Sequence, residues 1–190
     1  AQFFTNGVDT KTAGVDVVLA WKKKFGDSNL SATLVGNINH MTIGDVKNGT
    51  LDKETFFGER EKAFLLASAP ANKFGLNLNY DKKWFNAGLA FTRFSKVELL
   101  DYQMYEDVAD YGSFADQIKA ATDTYSAKIV TDLTLGFKLN KASKLSIGAN
   151  NLFNIYPDQQ DDWVEAGGYW DAVQMGFSGA YYYARLGFTF

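Results

Sequence analysis

The sequence predicts an all-β chain: an antiparallel, up-and-down wall of the transmembrane β-barrel type. Three observations predict it. Apolar and polar residues alternate with period two in seven separate runs. The connections between runs alternate strictly between tight polar turns and long loops. Aromatic residues gather at the ends of the runs rather than at their centres. A period of two separates the two faces of a strand, whereas a helix at 3.6 residues per turn would mix them.

The elements follow in order. Val15, Val17, Leu19 and Trp21 alternate with Asp16, Val18, Ala20 and Lys22. Past the turn Gly26-Asp27-Ser28-Asn29, the residues Leu30, Ala32, Leu34 and Ile38 alternate with Ser31, Thr33, Asn37 and Asn39. A long connection spans roughly 46–70, and Thr55 to Ala67 is expected to hold a short helix before Pro70. Phe74, Leu76, Leu78 and Tyr80 then alternate with Lys73, Gly75, Asn77 and Asn79. The turn Asp81-Lys82-Lys83 leads to Phe85, Ala87, Leu89 and Phe91, which alternate with Asn86, Gly88, Ala90 and Thr92. A second long connection, roughly 97–123, carries a mixed acidic and aromatic stretch from Tyr102 to Ala121 with another short helix expected in it. The clearest run, Tyr125 to Leu139, reads as one unbroken strand. After Asn140-Lys141-Ala142-Ser143, Leu145, Ile147 and Ala149 alternate with Ser146, Gly148 and Asn150. A third long connection, roughly 154–178, precedes the last run. There Ala180, Tyr182, Ala184, Leu186, Phe188 and Phe190 alternate with Gly179, Tyr181, Tyr183, Arg185, Gly187 and Thr189.

In a meander, alternating turn lengths put all tight turns at one end and all long loops at the other, the layout of outer-membrane barrels. The apolar face is expected to meet lipid and the polar face to line a wet lumen. Trp21, Phe25, Tyr80, Trp84, Phe85, Phe137, Phe188 and Phe190 lie near the tight-turn end, and Tyr125, Phe153, Tyr156, Tyr181 and Tyr182 near the long loops. Two such groups match the aromatic belts of a membrane barrel. A soluble barrel would place its largest side chains mid-strand.

Composition narrows the function classes. The 190 residues carry a formal charge of -3, with no basic patch, so nucleic acid is not an expected partner. Cysteine is absent, which removes disulfides and thiolate metal sites. His40 is the single histidine, read as a polar strand-end residue, and no convincing Ser/His/acid set can be built around it. No apolar run approaches the roughly 18 residues of a membrane helix, which leaves strand-based spanning open. The opening Ala1-Gln2-Phe3-Phe4 lacks a basic n-region and an apolar h-region, so it reads as a mature start or a cut within a longer chain. Bacterial single-chain barrels have even strand numbers, and an open seven-stranded sheet would leave two unpaired edges in lipid. The expectation is therefore a portion of a larger barrel, with residues 1–190 as one piece of its wall.

Several stretches carry a family resemblance. Asn150-Asn151-Leu152-Phe153-Asn154-Ile155-Tyr156-Pro157-Asp158 resembles a stretch near the end of TonB-dependent outer-membrane receptors. Tyr181 to Phe190 is similar to their last strand and terminal aromatic. Phe3 to Asp16 resembles the approach to a mid-barrel strand, and Glu59-Arg60 followed by Ala69-Pro70 and Lys73 matches another recurring stretch. The resemblance implies a barrel of about 22 strands, of which this chain supplies the last seven. It also implies localisation in the bacterial outer membrane and active uptake of a scarce nutrient: a siderophore, vitamin, peptide or glycan. The implied partners are the remaining strands, a plug domain outside this chain, the TonB energy-coupling complex reached through the N-terminal part, outer-membrane lipids and the barrel-assembly machinery. No cofactor and no enzymatic activity are implied. Passive porin or adhesin barrels and, further off, a soluble ligand-binding barrel are the alternatives.

Candidate site residues follow from position. Asp158, Asp161, Asp162, Trp163, Tyr169 and Trp170, with Glu165 and Asp171, make the last long loop the best ligand-contact candidate, since carboxylates bind hydroxyls and aromatic faces stack on rings. The bland reading is a solvated loop packed on its neighbours, and the acidic spacing lacks an EF-hand pattern, so no metal site is assigned. Lys128, Asp132 and Arg185 are expected to face the lumen or a plug, or else to form an ion pair between neighbouring strands. Phe190, by resemblance, is expected to signal to the assembly machinery.

Overall fold

A computed structural model describes residues 7–52, 56–68, 70–100, 112–159 and 174–189. Among the described residues, nine strands form two antiparallel sheets. They are β1 (Val8–Phe25), β2 (Ser28–Val46), β3 (Asn72–Asp81), β4 (Phe85–Phe94), β5 (Val97–Leu100), β6 (Thr122–Tyr125), β7 (Lys128–Lys138), β8 (Ser143–Asn150) and β9 (Tyr181–Phe188). Two helices, α1 (Glu59–Ala67) and α2 (Phe114–Ala120), fall in the first two long connections. The large sheet has the order β1-β2-β3-β4-β7-β8-β9, and β5 pairs with β6 in a small second sheet. Each strand of the large sheet lies beside its predecessor in the meander, which the short turns require for β1–β2, β3–β4 and β7–β8. The sheet is not closed: β1 and β9 each have a neighbour on one side. This is an all-β, barrel-type wall.

The register assembles the two faces. Trp21, Ala32, Leu78, Leu89, Leu133, Ala149 and Tyr182 stand directly opposite one another across all seven strands. Lys22, Ser31, Asn79, Gly88, Thr134, Gly148 and Tyr183 form the adjacent row on the other face. Alternation within each strand thus becomes one continuous apolar face and one continuous polar face, because a directly opposed pair shares a side of the sheet.

The apolar face has no protein partner among the described residues. Val15 is 62% exposed, Leu186 55% and Phe188 59%, and no large side chain anywhere in the described chain is fully buried. Leu133 and Leu135 are half-buried by their lateral neighbours alone. The apolar clusters that do bury lie among the long connections. Ala67 of α1 packs with Val97, Leu99 and Tyr125, with Phe64 against them. Leu100 and Ala121 pack with Ala63 and Ile118. The core therefore sits above the wall, not behind it.

At the tight-turn end the aromatic residues touch. Phe85 lies 5.3 Å from Phe137, 5.6 Å from Trp84 and 6.3 Å from Tyr80, ring centre to ring centre. Such tilted aromatic pairs add about 0.5–1.5 kcal/mol each beyond their burial. At the other end the expected belt is altered. Tyr125 is 3% exposed, inside the loop cluster, and Tyr181 falls on the polar face with Tyr183, stacked at 6.1 Å.

Three element boundaries differ from the sequence reading. β1 and β2 run for 18 and 19 residues, well past the expected ends. Beyond Ile38, where β3 starts at Asn72, they continue as a two-stranded ribbon because each satisfies the other's backbone. The run Tyr125–Leu139 is not one strand: β6 ends at Tyr125 and β7 begins at Lys128. Alternation persists through the gap, so the pattern alone could not reveal it. Both short helices form. Ser113 and Asp116 make a reciprocal cap at the start of α2, with Ser113 N–H donating to Asp116 Oδ2 at 3.2 Å.

Gly148 shows how tightly the polar face is built. Tyr183 crosses over it from β9 to reach Thr134 Oγ1 on β7 at 2.9 Å. A Cβ at position 148 would sit 2.5 Å from the Tyr183 ring and hydroxyl and 2.6 Å from the Leu133 carbonyl. Gly148→Ala should therefore cost about 1–3 kcal/mol, read as a lower unfolding temperature in detergent. Tyr183→Phe, which loses only the hydroxyl bond, should cost about 1 kcal/mol.

Candidate functional site

The polar groups singled out from the sequence meet a compact knot where β8 ends. Asn151 and Asn154 adopt left-handed backbone, with φ of 51° and 55°. Asparagine tolerates that region better than most residues, and two of them three positions apart turn the chain sharply. The Asn151 side chain then replaces a missing strand. Its Nδ2 donates to the Ile155 carbonyl at 2.7 Å and its Oδ1 accepts from the Ile155 N–H at 2.8 Å. Asn151 N–H donates to Asp132 Oδ1 at 2.7 Å, Leu152 N–H to the Thr131 carbonyl at 2.7 Å, and Ala180 N–H to Asn154 Oδ1 at 2.9 Å. Asn151 is 7% exposed, so these bonds replace water that cannot reach the backbone.

Gly179, at φ 71°, completes the return of the chain to β9. A Cβ there would lie 2.2 Å from the Tyr156 hydroxyl and 2.9 Å from Asn154 Oδ1, so both the backbone angle and the space demand glycine.

The segment continues along β7 to Asp158. Its carboxylate accepts from the Ser126 N–H at 2.6 Å and from the Ser126 hydroxyl, and it pairs with the Lys128 ammonium. Burial works against its charge, but the lysine and the two serine donors outweigh that and hold the carboxyl below the usual carboxylate range. The candidate ligand carboxylate is thus engaged in an internal contact.

The sequence-derived candidates are placed as follows. Lys128 pairs with Asp158, and Asp132 holds the Asn151 backbone. Arg185, exposed on the polar face opposite Ser146, lies over the Tyr183 ring at 4.7 Å. None of the three is ion-paired with another among the described residues. Asp161, Asp162, Trp163, Glu165, Tyr169, Trp170, Asp171 and Phe190 lie outside the described residues, as do Phe3 to Asn6 of the resembling N-terminal stretch. His40 is exposed on the β1–β2 ribbon, opposite Ala13. Sequence reading did not single out Ser126 or Gln174, because a lone serine or glutamine in a loop carries no periodic signal. Asn151 was visible only as part of a resembling stretch.

The wall's polar face has concave space. One cleft of about 360 Å³ is lined by Asn79, Asp81, Asn86, Asp132 and Thr134 around Gly88. A larger groove of about 490 Å³ lies at the long-loop end between the ribbon, α1 and β5, with Met41, Leu66, Val97 and Leu99 among its walls. Among the described residues no group of three or more His, Cys, Asp or Glu gathers to hold a metal ion.

The architecture is that of a β-barrel wall with an elaborated loop end. The sequence matches no family model and no curated protein. Among solved structures the chain is similar to the pyoverdine outer membrane receptor FpvA from Pseudomonas aeruginosa PAO1, determined bound to pyoverdine. The TM-score is 0.52 at 12% identity, over 97% of this chain and 22% of that one. A likeness at that identity shows the β-barrel fold. The chain spans about a fifth of the receptor's length, 22%.

Two outcomes test the site. Asn151→Ala strands both the N–H and the carbonyl of Ile155, so it should cost about 2–4 kcal/mol, more than one ordinary hydrogen bond. Asp132→Asn, which keeps an acceptor oxygen, should cost less than half of that. Guanidinium unfolding checks both. The Asp158 contact has a defined pH sense. Because its folded pKa is lowered, its stabilisation is complete above the ordinary aspartate value of about 3.9. It is lost as pH falls through the lower folded value. Protection of the Ser126 amide, its exchange relative to the intrinsic rate at each pH, should therefore fall on acidification below about pH 4, and Asp158→Asn should flatten that fall.

Proposed function

We propose that this chain is part of an outer-membrane receptor that actively imports a scarce nutrient, in the manner of TonB-dependent receptors. One observation carries the reading most: a continuous apolar face, seven strands wide, with nothing among the described residues to cover it. Such a face in water would be an aggregation surface, whereas in a bilayer it is the ordinary exterior of a barrel. The likeness to the pyoverdine receptor over 97% of the chain supports the same class.

The ends of the apolar ladder fit a membrane. On β4 it runs from Phe85 to Phe91, and Arg93 follows on the same face with its Nη1 on Asn72 Oδ1 at 2.6 Å. Phe85 and Arg93 are eight residues apart on one strand, about 26 Å along the strand and about 20 Å at a tilt near 40°. A cation at that height reaches the interface by snorkelling. The polar face, with Asn77, Asn79, Asn86 and Asp132, lines the interior in this reading, and the open β1 and β9 edges pair with further strands of the same barrel. The ligand is a siderophore, vitamin, peptide or glycan. The last long loop, with Asp161, Asp162, Trp163, Tyr169 and Trp170, is its proposed contact surface, and Lys128, Asp132 and Arg185 belong to the wall around the interior and a plug.

Two measurements test this. Leu133→Arg should cost about 2–4 kcal/mol in a bilayer, while Val18→Arg, on the polar face, should stay within about 0.5 kcal/mol. Equal costs for the two would remove lipid from the apolar side. In cells, uptake should stop on addition of a protonophore, and the purified protein should show no steady conductance in planar bilayers. Steady conductance would identify a passive porin instead.

A further inference from the structure

The hairpin β4–β7 is interrupted and then resumes in the same register. Phe94 lies opposite Lys128 in the wall, and Val97 opposite Tyr125 in the small sheet above it. Between them, Ser95 and Lys96 leave the ladder across from Ser126 and Ala127. Ser95 N–H still donates to the carbonyl of Asn72 on β3 at 3.2 Å, in the register of the β3–β4 ladder, so the gap lies on the β7 side alone. Gln174 fills it. Its Nε2 donates to the Ser95 and Ser126 carbonyls at 2.7 Å each, one on either strand, and the residue is 6% exposed.

Ser126 is bound a second time, from the other flank of the same loop. Its N–H and hydroxyl both go to Asp158. Asp158 and Gln174 stand sixteen positions apart in sequence, on either side of the segment 160–173. The backbone of one residue thus joins both flanks to each other, while Gln174 joins them to the base of β5.

We propose that Ser126 is an interlock: it couples the base of the last long loop to the cap made of β5, β6 and α1, so that the two loosen together or not at all. The physical reason is shared backbone. The N–H and the carbonyl of Ser126 belong to one short unpaired stretch, so a shift that breaks the Asp158 bond also moves the carbonyl held by Gln174. The cap's own apolar cluster, Ala67, Val97, Leu99 and Tyr125, moves as a body because it buries its side chains internally. This coupling does not depend on what the loop binds.

Hydrogen exchange on the whole protein in lipid nanodiscs tests it. Gln174→Met keeps the size and removes the donors, and Asp158→Asn removes the charge. Gln174→Met should speed exchange about tenfold at the Ser126 amide, whose hydrogen is held by Asp158 and not by Gln174, although Gln174 Nε2 lies 3.5 Å from the Tyr125 carbonyl of the same peptide group. Asp158→Asn should speed exchange about tenfold at Val97–Leu100, which Asp158 does not touch. The double variant should be little faster than either single. Amides of Leu76–Tyr80 in β3 serve as the control and should not change. Effects confined to each variant's own flank and multiplying in the double variant would overturn the proposal, as would acceleration spreading equally into β3. Should Gln174→Met not assemble, Gln174→Asn, too short to reach both carbonyls, should show the same pattern at about threefold, and wild-type rates there would also overturn it.

Discussion

Backbone pairing between neighbouring strands, with nothing behind them among the described residues, is the constraint on which the rest of this structure depends. In an ordinary domain a sheet is held by what packs against its apolar face. Here the ladder hydrogen bonds and the lateral contacts between side chains in one row do that work alone, and the apolar face stays open across all seven strands. In the membrane setting proposed for the chain, the medium that meets this face is itself apolar. In that medium an unpaired N–H or carbonyl costs far more than in water, so pairing must be nearly complete.

Buried backbone must be paired whatever surrounds it, and that accounts for the irregular places as well. Where β8 stops at Asn150, the chain would present bare backbone beside β7. Asn151, Asp132 and Asn154 supply acceptors and donors from side chains instead, and the segment stays bonded along β7 as far as Ser126. Where β4 and β7 part, Gln174 bridges the two carbonyls. Polar side chains that looked like candidates for binding a substrate are therefore partly occupied in closing the wall. Asp132 and Asp158 belong to this group, and Arg185, resting on Tyr183, remains exposed to the polar side.

The long-loop end is a different kind of structure. Its cap buries Val97, Leu99, Leu100, Ala121 and Tyr125 in small clusters with α1 and α2, as a soluble protein would. The wall and the cap thus follow opposite rules within one hairpin, and the residues 95–96 and 126–127 mark the border. Tyr125 illustrates the consequence. By sequence it continues the alternation of β7 and belongs to an aromatic belt, but the border falls just after it, and it packs into the cap.

What the sequence determined by itself was whatever a strand decides locally. Period two names the faces, Gly-Asp and Asp-Lys turns close the hairpins, and the order of short and long connections sorts the ends. These are short-range properties, so the seven runs, their two faces and their meander order were legible without coordinates, while the opposed rows, such as Trp21 through Tyr182, came with the register. The tertiary structure alone decided where strands stop and which polar groups are spoken for. Asn151 meets Asp132 across nineteen positions, Asp158 meets Ser126 across thirty-two and Gln174 meets Ser95 across seventy-nine. Contacts that distant leave no period in a sequence, because a single side chain answering a single backbone group can sit anywhere the fold brings it.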